Sequence, residues 1–246
     1  MKIAVLTLYT EEVAAHGRLS AANKKAYAER HGYDFLLYCH ALDTDRPPAW
    51  SKIRAFQTHL PDYDWIFWTD ADSLVMNPAK RLESIIRGRK RKDMILTWEV
   101  GAARINTGQW LIRNSQWSAD ALAAIADPSC PNSRPLWFEQ GALIDWLDRD
   151  PRRWDRLAVL HPRVMNSTPD VAYYPDLDLR HCRYREGDFI IHFWPLARRQ
   201  DDVRRMMERY YALSLSQRPA LWRWLGSLAR RSRDLVRLHS AGERAE

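Results

Sequence analysis

The sequence has only three cysteines, Cys39, Cys130 and Cys182, scattered over 246 residues. An odd, widely spaced set makes neither a disulfide framework nor a zinc-binding pattern, and it points to a reducing compartment. Long apolar runs are missing as well. Nowhere do 18 apolar residues follow one another, so no membrane-spanning helix is expected. Met1-Lys2 leads straight into a short strand-like run, too short for the apolar region of a signal peptide and without a cleavage site. The expected location is the cytoplasm. The sequence also lacks internal repeats, low-complexity tracts and a convincing interdomain linker.

An evenly basic surface is absent too. The formal net charge is +7, but it is local. Residues 218–246 carry seven Arg against three acids, and Arg87, Arg89, Lys90, Arg91 and Lys92 form a second basic run, which leaves the rest of the chain slightly acidic. That pattern argues against a nucleic-acid-binding face built into the fold. What is present is a large apolar fraction, 46%, enough for a sizeable core and too much for a disordered chain. Tryptophan is abundant, with 12 copies. Most belong in a core, although enzymes that handle sugars also set aromatic faces against the apolar side of a sugar ring.

Periodicity outlines an α/β chain. Residues 3–8 read as a buried parallel strand, 16–31 as a helix closed by His31-Gly32, and 33–39 as a second strand. This βαβ opening implies a parallel sheet. Trp50 to Leu60 reads as a helix, Trp65-Ile66-Phe67-Trp68 as a strongly apolar strand, and Pro78 as the start of a helix running to about Ile86. Strands follow at 94–98 and 109–112. Ser115 caps a helix over 116–126, and Phe138 to Leu147 is helical. Short strands near 157–160 and 189–193 complete the sheet, and helices are expected over 201–213 and about 220–238.

The sharpest chemical feature is Asp70-Ala71-Asp72, directly after the apolar strand. In an open α/β sheet, ligands bind at the carboxyl ends of the strands. Carboxylates two apart on extended chain face the same side and share one hard cation. Such a cation stabilises the charge that develops on a leaving diphosphate. Asp-x-Asp alone also occurs in solvated turns; its place after Trp-Ile-Phe-Trp gives it weight.

The segments around it carry a resemblance. Trp50-Ser51-Lys52-Ile53, followed by Trp65-Ile66-Phe67-Trp68-Thr69-Asp70-Ala71-Asp72-Ser73-Leu74-Val75-Met76-Asn77-Pro78, resembles glycosyltransferase family 34. That family contains galactomannan galactosyltransferases, xyloglucan xylosyltransferases and fungal α-1,6-mannosyltransferases. Asn106-Thr107-Gly108, Glu139-Gln140-Gly141-Ala142-Leu143 and His192-Phe193 are similar to its later blocks, in order, over roughly residues 1–200.

The resemblance implies a GT-A fold: Rossmann-like, with a mostly parallel central sheet flanked by helices. Here it would span 1–200, with a C-terminal helical extension over 201–246. It implies a divalent metal, usually manganese with magnesium as the alternative, held by Asp70, Asp72 and His192. Taken alone, His192 reads as a core histidine. The resemblance also implies a nucleotide-sugar donor, UDP-linked in preference to GDP-linked. Lys52 would meet the donor or its phosphates, and Asn106 and Gln140 the donor sugar near its anomeric carbon. Glu139 stands where the family has Asp. The family's late phosphate-facing Lys is missing, and Arg198 or Arg199 would stand in for it, since a guanidinium pairs well with phosphate.

The implied reaction is retaining transfer of a hexose or pentose, galactose-type favoured, to a glycan or lipid-linked glycan acceptor. It would run by front-face displacement, or by a double displacement with Glu139 as nucleophile. Two other readings share the Asp-x-Asp. One is a haloacid-dehalogenase-like phosphohydrolase, which needs a later Lys that is not convincingly present. The other is a non-catalytic binding protein of the same fold. Leu221, Trp224, Leu225, Leu228, Leu235 and Leu238 alternate with arginines in the tail. They read either as a helix resting on anionic lipid at the inner face of the cell membrane or as a helix docked on the domain.

Overall fold

The computed structural model describes residues 1–99, 104–170, 180–196 and 199–216. The chain divides into two units, Met1–Tyr211 and Ala212–Glu246. Of the second, only the helical residues Ala212–Ser216 are described. The basic helix expected over 220–238 lies outside the described residues. Among those residues, no helix is long and apolar enough to cross a membrane.

The first unit opens with strand β1 (Ile3–Leu8), helix α1 (Ala14–His31) and strand β2 (Asp34–Tyr38). Every β1 residue is buried, as a central parallel strand requires. Helix α1 ends where Gly32 turns left-handed (φ 70°), which lets Tyr33 N reach back to Ala28 O at 3.0 Å. Helix α2 (Ser51–His59), strand β3 (Trp65–Thr69), strand β4 (Ser73–Val75) and helix α3 (Leu82–Ile86) follow. Then come strands β5 (Met94–Thr97) and β6 (Asn106–Arg113), helices α4 (Gln116–Ala126) and α5 (Phe138–Asp148), strands β7 (Leu157–Leu160) and β8 (Ile190–His192), and helix α6 (Gln200–Ser216). Ser115 caps α4 by accepting from Ser118 N at 3.2 Å.

The main sheet has the order β2-β1-β3-β6-β5-β7. Only β6 opposes its neighbours; β1–β2, β1–β3 and β5–β7 are parallel pairs. Strand alternation sends side chains to two faces. On one face Leu6, Ile66, Trp68, Trp110 and Ile112 pack with Phe56 of α2 and with apolar residues of α4 and α5. On the other Val5, Phe67, Ile95 and Leu111 pack with Tyr27 of α1 and with Leu82, Ile85 and Ile86 of α3. Burying each such side chain contributes roughly 1.5–3 kcal/mol. The architecture is the expected α/β fold, a mostly parallel central sheet flanked by helices.

Two local expectations are corrected. The helix expected from Pro78 starts only at Leu82. Residues before it form a turn in which the Pro78 and Lys80 carbonyls meet His31 Nε2 (2.8 Å) and Tyr27 Oη (2.7 Å), not the next helical turn. Strand β8 does not complete the main sheet. It pairs antiparallel with β4, a strand the sequence reading missed, in a separate two-stranded sheet. Leu74, Met76, Ile191 and Phe193 of this ribbon pack with Val203 and Met207 of α6.

Candidate active site

The topology gathers chemistry at one sheet edge. Strands β1, β3 and β5 run in one direction, so their carboxyl ends meet there. Because β6 runs the other way, it brings its amino end, Asn106-Thr107-Gly108, to the same edge. Asp70 N donates to Gly108 O at 2.9 Å, which fixes the two segments side by side. After Thr69 the chain turns sharply, held by Ser73 Oγ donating to Asp70 O at 2.7 Å, and enters β4. In the β4–β8 ribbon Ser73 lies opposite His192. That register carries a side chain 120 positions away onto the Asp70–Asp72 turn.

Ligand atoms of Asp70, Asp72 and His192 all lie within 4.8 Å of one another. His192 Nε2 is 3.1 Å from Asp72 Oδ1 and 3.9 Å from Asp70 Oδ2. Its Nδ1 lies 2.8 Å from Asn166 Oδ1, an acceptor, which favours a proton on Nδ1 and leaves Nε2, once deprotonated, free to offer its lone pair beside the carboxylates. With Nε2 deprotonated, two carboxylates and one imidazole nitrogen face one point, a donor set able to hold a cation. Two hard oxygens and one imidazole nitrogen suit manganese or magnesium. The second-ring-nitrogen bond to Asn166 is the usual way such a ligand is oriented. Burial pushes the His192 pKa down, but the Asp72 and Asp70 carboxylates outweigh it and hold it above its ordinary value. Burial in turn raises Asp72, and the facing His192 more than offsets this, leaving it at about 2.

Gly108 is required by this packing. A Cβ there would lie 2.9 Å from Asp70 Oδ2 and His192 Nδ1, and inside the van der Waals envelope of His192 Cε1. Gly108→Ala is therefore expected to lower activity about 100-fold, the effect of displacing a reacting group by roughly 1 Å. It is also expected to remove the thermal stabilisation given by manganese. Melting curves with and without the metal check this, and an unchanged metal shift would contradict the close approach.

Lys52 on α2 is buried and all its proton positions are engaged. It contacts Glu139 Oε1 at 2.6 Å, Thr107 O at 3.0 Å and Asp70 Oδ1 at 3.3 Å. Burial lowers its pKa, but the Asp70 and Glu139 carboxylates prevail and hold it above the ordinary lysine value. Asn106 and Gln140 are brought together. Gly108 N donates to Asn106 Oδ1 at 2.9 Å and Thr107 N to Gln140 Oε1 at 3.0 Å, while both side-chain amides donate to Glu99 Oε2, at 3.0 and 3.3 Å. Phe138, with φ 49°, is the only non-glycine residue of positive φ among the described residues. It opens α5 at the step that turns Glu139 and Gln140 inward, where strain is commonly stored. Arg199 is exposed and lies 3.7 Å from Asp202. Arg198 lies outside the described residues. All the other residues named from the sequence line a cavity of about 750 Å³, with Trp68, Trp137 and Trp194 among its walls.

Sequence reasoning missed four contributors. Glu99 stands just past β5 at the strand-end edge, so the rule that found Asp70 would have found it. Burial holds its carboxyl above the usual range despite the amide donors. Lys24 falls within the buried stripe of α1, among Ser20, Ala21, Tyr27 and Ala28, where a lysine is out of place. Burial pulls its pKa down to about 7. His16 lines the cavity, its pKa lowered mainly by burial. Asn166 has no sequence signal.

The sheet order, the Asp-x-Asp turn at the end of β3 and the antiparallel strand beside it define the GT-A fold of nucleotide-sugar glycosyltransferases. A solved glycosyltransferase involved in glycosylation of the major capsid of PBCV-1 superposes with a TM-score of 0.68, at 20% identity, covering 85% of this chain and all of that one. The galactosyltransferase LgtC, solved with donor and acceptor sugar analogues, gives 0.54 at 13% identity, covering 89% of this chain and 99% of that one. The chain belongs to the galactosyl transferase GMA12/MNN10 family, whose model matches residues 5–100 and 84–200.

Among its relatives is the probable α-1,6-mannosyltransferase MNN10 of Saccharomyces cerevisiae, 27% identical, with 68% of this chain and 52% of that protein aligned. The probable xyloglucan 6-xylosyltransferase 3 of Arabidopsis thaliana is 32% identical, with 51% of this chain and 29% of that protein aligned. The chain thus spans about half or less of these two relatives.

Proposed function

We propose that this chain is a metal-dependent, retaining glycosyltransferase that moves a hexose or pentose from a nucleotide diphosphate sugar to a glycan or lipid-linked glycan. The observation that carries the reading is the convergence of Asp70, Asp72 and His192 at the strand-end edge of the cavity. Family membership favours this over a phosphohydrolase with the same Asp-x-Asp. A bound manganese or magnesium ion would supply Lewis-acid stabilisation of the departing diphosphate. A UDP-linked, galactose-type donor is favoured, with GDP as the alternative base. The cytoplasm, or the inner face of the cell membrane, is the proposed location.

The chain's own residues supply the rest. Asp70 is oriented by Trp68 Nε1, which donates to its Oδ1 at 2.5 Å, and by Lys52 on the same oxygen. Glu99, Asn106 and Gln140 form a linked polar wall able to take sugar hydroxyls. Glu139 is tied at one oxygen to Lys52 and to Thr107 Oγ1 (3.0 Å). A carboxylate held by an ammonium is a weakened nucleophile, which supports front-face displacement over a covalent intermediate.

The direct test is a thermal-shift panel of nucleoside diphosphates and their sugars, with and without manganese. The reading expects stabilisation by one base and its sugars, dependent on the metal; a flat panel defeats it. Gln140→Ala is expected to leave nucleotide affinity nearly unchanged and to lower turnover about 100-fold, the effect of losing one well-placed polar contact in a transition state. Loss of nucleotide binding instead would place Gln140 at the wrong part of the donor.

A further inference from the structure

Lys24 is fully buried, and among the described residues it forms no ion pair. Its ammonium donates to Thr7 Oγ1 at 3.2 Å, Thr69 O at 3.1 Å and Asp70 O at 2.5 Å, directly behind the Asp70–Asp72 turn. An ammonium withdrawn from water is costly even when hydrogen-bonded, unless an opposite charge nearby offsets it. A purely mechanical role is already filled by others. Thr69 O also accepts from Thr7 Oγ1 at 2.7 Å, and Asp70 O from Ser73 Oγ at 2.7 Å. Without Lys24 both carbonyls would keep a partner. What Lys24 alone adds is positive charge.

Lys52 is balanced by Glu139 at 2.6 Å. It also lies 3.3 Å from Asp70 Oδ1 but shares its charge with Glu139. With His192 as a neutral metal ligand and Lys24 protonated, the charges of Lys24, Lys52, Asp70, Asp72 and Glu139 therefore sum to one net negative charge. A dication there is undercompensated until a diphosphate arrives. We propose that Lys24 is the electrostatic counterweight of the Asp70–Asp72 pair, weakening the bare site for a divalent cation so that the cation is retained only together with a diphosphate. This rests on the transferase reading above. By linkage, the factor by which diphosphate tightens the metal equals the factor by which the metal tightens diphosphate.

The experiment is a manganese titration followed by the paramagnetic resonance of the free ion. It is run on the full chain, alone and with saturating uridine or guanosine diphosphate. Wild type is expected to bind manganese weakly alone and at least about tenfold more tightly with one of the diphosphates, within the usual range of such couplings. Lys24→Met should bind manganese alone about tenfold more tightly than wild type, with a correspondingly smaller gain from diphosphate. Lys24→Arg, which keeps the charge, should behave as wild type. Lys24→Gln keeps a donor without the charge and should follow the Met variant if that one does not fold.

A neutral variant that melts cooperatively yet binds manganese no more tightly than wild type overturns the proposal and leaves the transferase reading intact. So does failure of both neutral variants to fold, because the backbone would then depend on Lys24. If wild type binds no manganese even with diphosphate, the transferase reading itself falls, and this inference with it.

Discussion

Asp72→Asn is expected to lower sugar transfer by about 1,000-fold or more while the protein still melts as a folded domain. Asp72 gives one of the three electron pairs that converge at the turn, and its Oδ1 faces His192 Nε2 at 3.1 Å. An amide of the same shape keeps the packing and removes the charge. Withdrawing a carboxylate from a dication that stabilises a departing diphosphate costs about 4 kcal/mol of transition-state stabilisation, which is three powers of ten in rate. His192→Ala should do comparable damage, because β8 contributes this ligand alone. Initial rates across a manganese titration measure both variants, with circular dichroism melting as the control for folding. Undiminished transfer in either folded variant, or in wild type with excess chelator, would sink the metal assignment.

The elements that hold these groups were legible in the sequence to different degrees. The apolar run Trp65–Trp68 and the acidic pair after it identify the end of β3 without any structure, because a buried strand and a pair of carboxylates are both local patterns. Strand direction is not a local pattern. Nothing in the spacing of residues 106–113 says that β6 runs against β3 and β5, yet that reversal delivers Asn106 and Gly108 to the site. His192 was placed among the ligands only through resemblance. The physical cause, its register opposite Ser73 in the β4–β8 ribbon, joins residues 119 positions apart and leaves no trace in periodicity. Lys24 did leave a trace, as a cation within the apolar stripe of α1, but a helix rich in Lys, Arg and Glu hides one inward-facing lysine among its solvated ones. Asn166 enters from a loop, where neither period nor capping rules apply.

Lys52→Met is expected to destabilise the fold by about 3–5 kcal/mol, the penalty for leaving a buried ion unpaired. The Lys52 and Glu139 side chains are 3% and 4% exposed, and their charged atoms meet at 2.6 Å. Water cannot replace the missing ammonium at that depth, and the Thr107 Oγ1 bond to Glu139 is neutral and weaker. The double variant Lys52→Met, Glu139→Gln removes both charges and should recover most of the loss, since an uncharged buried pair carries no such penalty. Urea unfolding of the two single variants and the double closes the cycle. Activity should not recover with stability. Asp70 would still lack the cation 3.3 Å from its Oδ1, and the 139 position would lack its carboxylate. If the double variant is as unstable as Lys52→Met, the two charges do not balance each other, and Lys52 is held in place mainly by Asp70 and the Thr107 carbonyl. If the double variant is both stable and active, the pair is structural alone and neither residue belongs to the machinery of transfer.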